Sequence, residues 1–220
     1  MALPVTDTFL QSTGSGQALS TYSAAWSVLE GSFNVPSGTG EVEGTGGTYN
    51  TARHNVETYN ADHRARVQLV AAAISSGIYA GPAVRCQSGA NTSYHVDCNG
   101  SSLYFSKCVA GTQTTLAGPI SVSLAGTDWL SLKVETIDAS TVRLTAYEST
   151  AAAPDTYTLL DTVDDTAGDR ITTAGQTGIF IYGGSALGAI AAFRGENIGG
   201  GGGGGTQPPR SMNQYRHRRA

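Results

Sequence analysis

Charge is scarce in this chain. Asp, Glu, Lys and Arg make up 14% of its 220 residues, too little to lace long surface helices with ion pairs. No apolar run approaches the roughly 20 residues that a bilayer-spanning helix needs, so a membrane is not among the expected partners. The three cysteines, Cys86, Cys98 and Cys108, cannot all pair within one chain, no C-x-x-C spacing occurs, and His95 is the histidine nearest to them. Reduced thiols buried as small apolar residues are therefore expected, with no metal site. The first residues, MALPVTDTF, have neither a basic start nor an apolar core, which predicts synthesis in the cytoplasm without a signal peptide. A G-x-x-x-x-G-K-[ST] loop and a G-x-S-x-G elbow are both missing, so no phosphate cradle, nucleophilic serine or cofactor is expected.

What the chain has in abundance is glycine, 29 residues, together with Thr, Ser, Ala and Val, the profile of short strands joined by tight turns. Strand-like runs recur at 26–31, 65–72, 77–86, 92–98, 102–109, 129–137, 141–148, 157–163 and 177–184. In 129–137, Leu130, Leu132 and Val134 share one face while Ser131, Lys133 and Glu135 take the other; Val142, Leu144 and Ala146 alternate in the same way with Arg143 and Thr145. Turn residues separate these runs at 87–91, at Asn99-Gly100 and at 138–140. The one helical candidate, 63–77, lacks charged pairs and reads as a long strand. Many strands with one apolar face each are best satisfied by two antiparallel sheets packed face to face over about 200 residues. The fold expected is all-β, an antiparallel two-sheet β-sandwich spanning 1–198, followed by a polyglycine linker at 199–205 and an extended basic arm at 206–220.

Several scattered residues fit one family. Asp7-Thr8-Phe9, Trp26 followed by Gly31-Ser32-Phe33, the AGPAVR stretch at 80–85 leading into SYHVD, Trp129, and the closing GIFIYGG with Ala192-Phe193-Arg194 come in an order that resembles the concanavalin A-like lectin/glucanase jelly roll in its laminin-G-like form. The resemblance covers about residues 5–198 and implies a closing strand lying beside the N-terminal one. It also implies glycan binding or glucan hydrolysis as activities to test against the residues. The glucanases carry their acid and nucleophile as E-x-D-x-x-E, and this chain has no such segment. Glu41 and Glu43 share a strand face, but no third acid follows, and they read as a solvated edge, so no catalytic residue is assigned. Asp161, Asp164, Asp165 and Asp169 read as a polar loop rather than a calcium site. Of the tyrosines on or beside strands, Tyr49, Tyr59, Tyr79, Tyr94, Tyr104 and Tyr182, most are expected to pack in the core or across strands. Tyr49, His54 and Tyr59, in a polar segment, are the candidate glycan-binding residues.

The C-terminus is the other functional clue. Thirteen Lys and Arg, four of them in the last fifteen residues, stand against seventeen Asp and Glu, none of which lies there, so the body carries about −8 and the arm about +4. A run of seven glycines costs more backbone entropy to order than any other sequence, which calls for an external partner to hold the arm. Arg210, Arg216, Arg218 and Arg219 would pair with carboxylates, with Met212, Tyr215 and His217 beside them and Pro208-Pro209 stiffening the approach. Together with the resemblance, this suggests a non-enzymatic virion structural protein of a bacteriophage, a capsid decoration or fibre-type subunit. Its expected partners are other virion subunits, the capsid or neighbouring copies, rather than nucleic acid. The alternative is a carbohydrate-binding, lectin-like module that attaches to host or surface glycans.

Overall fold

The computed structural model describes residues 4–10, 16–75, 77–183 and 188–198, and of Ser75 the backbone alone. The polyglycine linker and the basic arm lie outside the described residues, Arg210, Met212, Tyr215, Arg216, His217, Arg218 and Arg219 included. The elements in chain order are β1 (Val5–Asp7), β2 (Gln17–Ala18), α1 (Leu19–Tyr22), β3 (Trp26–Glu30), β4 (Phe33–Val35), β5 (Glu43–Gly44), β6 (Tyr49–His54), β7 (His63–Leu69), α2 (Ala71–Ser75), β8 (Tyr79–Cys86), β9 (Ser93–Cys98), β10 (Ser102–Val109), β11 (Thr112–Ser121), β12 (Trp129–Thr136), β13 (Val142–Ser149), β14 (Thr158–Asp165), β15 (Gln176–Tyr182) and β16 (Ile190–Asn197). They form an antiparallel β-sandwich: a six-stranded sheet, β1-β16-β7-β12-β13-β14, faces a seven-stranded sheet, β11-β10-β9-β8-β15-β6-β3, with a small three-stranded sheet of β2, β4 and β5. No helix among the described residues is long and apolar enough to cross a membrane.

Alternation builds the core as the sequence predicts. Leu130, Leu132, Val134, Val142, Leu144 and Ala146 are all fully buried on the inward rows of β12 and β13, each Leu or Val side chain contributing about 1.5–3 kcal/mol. From the other sheet, Tyr94, Val96 and Cys98 of β9 and Leu103 and Phe105 of β10 face them in the same cluster. The hairpins also fall where expected: Gly100 takes φ 91°, a left-handed conformation that costs glycine no Cβ clash, and Asn99 Oδ1 accepts the Ser102 N–H at 2.9 Å. The chain is not a pure meander, however, because β15 inserts between β8 and β6, and β16 between β1 and β7. The strand beside the N-terminal one is β16, with Asp7 paired to Phe193; the GIFIYGG run, expected to close the sheet with it, is β15 of the other sheet.

Two sequence expectations are corrected. The run at 65–72 stays a strand only to Leu69; Ala71–Ser75 then turns as a short helix, whose Ala-rich sequence has no alternation to hold it in a sheet and whose Ala73 is buried. Glu43 is no solvated edge: it is 7% exposed and accepts from Asn34 Nδ2 at 2.7 Å across the β4–β5 ladder. The resemblance residues have structural work at one end of the sandwich. The Asp7 carboxylate accepts from Trp26 Nε1 (2.8 Å), Tyr22 Oη (3.0 Å) and the Phe9 N–H (2.8 Å), tying β1 to the aromatic core.

Candidate functional site

Period-two alternation leaves an outward row on each strand of the seven-stranded sheet. On β6 that row is Tyr49, Thr51 and Arg53, opposite the inward Asn50, Ala52 and His54. On β15 it is Phe180 and Tyr182, and on β9 Ser93, His95 and Asp97. The strand order brings these rows together. Tyr182 pairs in register with Tyr49 on one side and with Tyr79 on the other. Ring centroids step from Tyr49 to Tyr182 (5.5 Å), to Tyr79 (6.0 Å) and to Tyr104 (5.6 Å), an unbroken row of four tyrosines. Tyr182 is 41% exposed and the other three are half-buried.

The row borders a groove of about 380 Å³, lined as well by His95, Asp97, Ser106, Gln113, Thr114, Thr115 and Phe180. Its floor is a stack of the His95 and Phe180 rings, 3.8 Å between centroids and 13° from parallel. These residues sit on β9 and β15, with β8 between them, so the stack requires β8 to carry almost nothing there. Gly81 is the register partner of Phe180 and Ala83 that of His95. A Cβ on Gly81 would also stand 1.8 Å from the Val96 carbonyl oxygen. The sequence motif AGPA thus has a local purpose: it clears the groove floor.

The polar atoms of the groove are short of partners. His95 Nδ1 and both amide atoms of Gln113 are buried without a hydrogen bond among the described residues. Burial pushes the His95 imidazole down to about 3, so it is neutral and offers one donor and one acceptor. Burial pushes the Asp97 carboxyl up to about 7. Because the folded state holds that proton more tightly than the unfolded chain, the stability it contributes is complete below the ordinary carboxylate range and is lost as pH rises through about 7. Asp97→Asn is therefore expected to gain on the wild type, by an amount on the order of a few kcal/mol, as pH rises from acid to mildly alkaline. Denaturant titrations of both proteins across pH check this; a difference independent of pH contradicts it.

Of the three candidate residues from the sequence, Tyr49 lies in the groove and the other two do not. His54 is five positions from Tyr49 on the same strand, an odd separation that turns it inward. It is 4% exposed and packs edge-on against Trp26 and flat against Phe193. Tyr59 is 2% exposed, with its hydroxyl 2.4 Å from where a Cβ on Gly195 would stand, and borders a smaller depression of about 220 Å³ with Arg53, Cys86 and Gln176. Asn91 donates to the Glu30 carboxylate, and the outward Thr51 and Ser93 are fully buried. The acidic residues expected in a polar loop belong mostly to a strand: Asp161, Asp164 and Asp165 lie on β14, paired to β13, and only Asp169 follows it; Lys107 pairs with Asp165 and Asp169, and Arg143 with Asp164. All three cysteines are buried free thiols, with burial pushing Cys86 up to about 12.

No protein-family model matches the chain, and no curated protein matches it. Solved structures share its fold. A carbohydrate-binding module, CBM66, from Bacillus subtilis superposes with a TM-score of 0.50 at 15% identity, over 79% of this chain and 92% of its own. An engineered GH43 glycoside hydrolase with endo-xylanase and exo-arabinofuranosidase activity matches with a TM-score of 0.50 at 14% identity, over 90% of this chain and 41% of its own. A bifunctional GH43-CE protein of Bacteroides eggerthii matches with a TM-score of 0.50 at 14% identity, over 89% of this chain and 26% of its own. The chain is thus similar in fold to one whole binding module and to part of two larger proteins.

Proposed function

We propose that the protein is a carbohydrate-binding module whose site is the tyrosine-lined groove on the outer face of the seven-stranded sheet. The observation that carries this reading is the conjunction of four adjoining tyrosine rings with buried, unpartnered polar atoms at His95 and Gln113. A sugar has an apolar C–H face and a hydroxylated rim; the first packs on aromatic faces and the second satisfies stranded donors and acceptors. The fold shared with a carbohydrate-binding module and with glycoside hydrolases supports this reading, as does the lectin-like resemblance of the sequence. Hydrolysis is a weaker reading, since glycosidases work with two carboxyl groups about 5–9.5 Å apart and, among the described residues, Asp97 is the one carboxylate that lines the groove. A virion role through the basic arm is compatible with such a body, as the adhesive part of a particle, and rests on the polyglycine run, the charge pattern of 206–220 and the jelly-roll resemblance of the sequence.

The test is a glycan array followed by titration of the best binder. Tyr49→Ala and Tyr182→Ala are each expected to weaken binding about tenfold, the loss of roughly one stacking contact. His54→Ala should lower stability and leave affinity unchanged. Equal binding by the wild type and both tyrosine variants would move the site elsewhere.

A further inference from the structure

We infer that the sugar selected by this groove carries a free amine, with the Asp97 carboxylate as its counter-ion and the Tyr79–Tyr104 pair beside it. This rests on the groove being a glycan site. The other buried charges of the protein are matched by partners. Lys107 is held by Asp165 and Asp169, Arg85 has Asp62 at 3.7 Å, Arg66 has Asp155 at 2.8 Å, and Glu43 accepts from Asn34. Each is paired or hydrogen-bonded, as burial demands.

Asp97 departs from that rule. Its side chain is 11% exposed, and among the described residues its one ion-pair neighbour is His95, at 4.0 Å between Nε2 and Oδ1. That imidazole is neutral, because burial holds its proton affinity far below the usual range. The raised Asp97 carboxyl has burial as its cause, with no donor opposing it. Among the described residues no Lys or Arg lines the groove. A carboxylate so placed stays uncompensated until a ligand brings a positive charge to it.

The surroundings suit an ammonium group. Tyr104 is the register partner of Asp97 on β10, and Tyr79 stands edge-on to Tyr104 at 5.6 Å. Tyrosine faces attract cations through the ring quadrupole, and partial desolvation strengthens both this attraction and the ion pair. An N-acetylated sugar lacks the charge, a neutral hydroxyl at the same position supplies a weaker hydrogen bond, and a uronic acid would meet Asp97 as a like charge.

Calorimetric titration of the full chain with oligosaccharides of one linkage and length, built from glucosamine, N-acetylglucosamine or glucose, isolates the substituent; the matching galacto series covers the other common stereochemistry. In at least one series the amine form is expected to bind about tenfold or more tighter than its two counterparts. Asp97→Asn should reduce it to their level, which also separates the site from general attraction to an acidic protein. Tyr49→Ala should weaken all three members of a series alike and keep the amine preference. Neutral or acetylated sugars binding as well as the amines, or an amine preference that survives Asp97→Asn, would overturn the inference and leave the glycan site standing. A glycan array with no saturable binder of any class would overturn both.

Discussion

Replacing Lys107 by Met is expected to cost about 3 kcal/mol of folding stability while leaving glycan affinity unchanged. Lys107 points inward from β10, with 3% of its side chain exposed, to Asp165 on β14, with 1% exposed; Nζ and Oδ2 are 3.2 Å apart. Tyr94 Oη donates to the same carboxylate at 2.7 Å and accepts the Ile171 N–H at 2.8 Å, so one network ties the two sheets together. Removing the ammonium group leaves a buried carboxylate with two neutral donors, Tyr94 Oη and the Ala167 N–H. The cost is mainly that stranded charge rather than the worth of the pair. A double variant, Lys107→Met with Asp165→Leu, should therefore recover much of the loss. Denaturant unfolding of the single and double variants checks both parts. A single-variant loss below about 1 kcal/mol would mean that the pair is solvated and the sheets are held by apolar contact alone.

Trp26→Ala is expected to cost about 3–5 kcal/mol, the penalty of a large aromatic cavity in a well-packed core. The indole is 2% exposed, and its centroid lies 4.9 Å from Phe193, 5.2 Å from His54 and 5.7 Å from Phe9. It also donates to Asp7, which in turn holds Tyr22 and the backbone after β1. The Ala variant thus loses packing and strands an acceptor together. Trp26→Phe keeps most of the ring and forfeits the hydrogen bond, for about 1 kcal/mol beyond the smaller volume. If the two variants were equally stable, the aromatic cluster would not be what closes this end of the sandwich.

These sites show why some of the fold was legible and some was not. β12 and β13 were plain in the sequence because each buries one aliphatic face and exposes the other. β6 carries the same alternation without an aliphatic signal: its inward row is Asn50, Ala52 and His54. Asn50 serves there as a polar bracket, donating to the Ile181 carbonyl and accepting from the Ser32 and Gly46 N–H groups. A strand built that way reads as a polar loop, and the error carried His54 to the wrong face. β11 was missed because it is an edge strand with no fully buried residue, so neither face shows a period.

The groove was partly legible. Tyr49, Tyr79, Tyr104 and Tyr182 stood out as strand tyrosines, but they lie on four strands whose neighbourhood depends on β15 inserting between β8 and β6, a non-local fact. His95 and Asp97 could have been found. In SYHVDC the alternation of Tyr94, Val96 and Cys98 with Ser93, His95 and Asp97 marks one apolar and one polar row, and a histidine and a carboxylate two apart on one face are side by side. Composition hides them, because a lone histidine near cysteines reads first as a metal question.

The most direct test of the groove as the binding site is a heteronuclear NMR titration of the full chain with the best glycan from the array. Saturable shifts centred on His95, Asp97, Gln113 and Tyr182 are the result expected here. Saturable shifts confined to the outer face of the six-stranded sheet, around Arg64, Tyr147 and Arg194, would contradict it, as would the absence of any saturable shift.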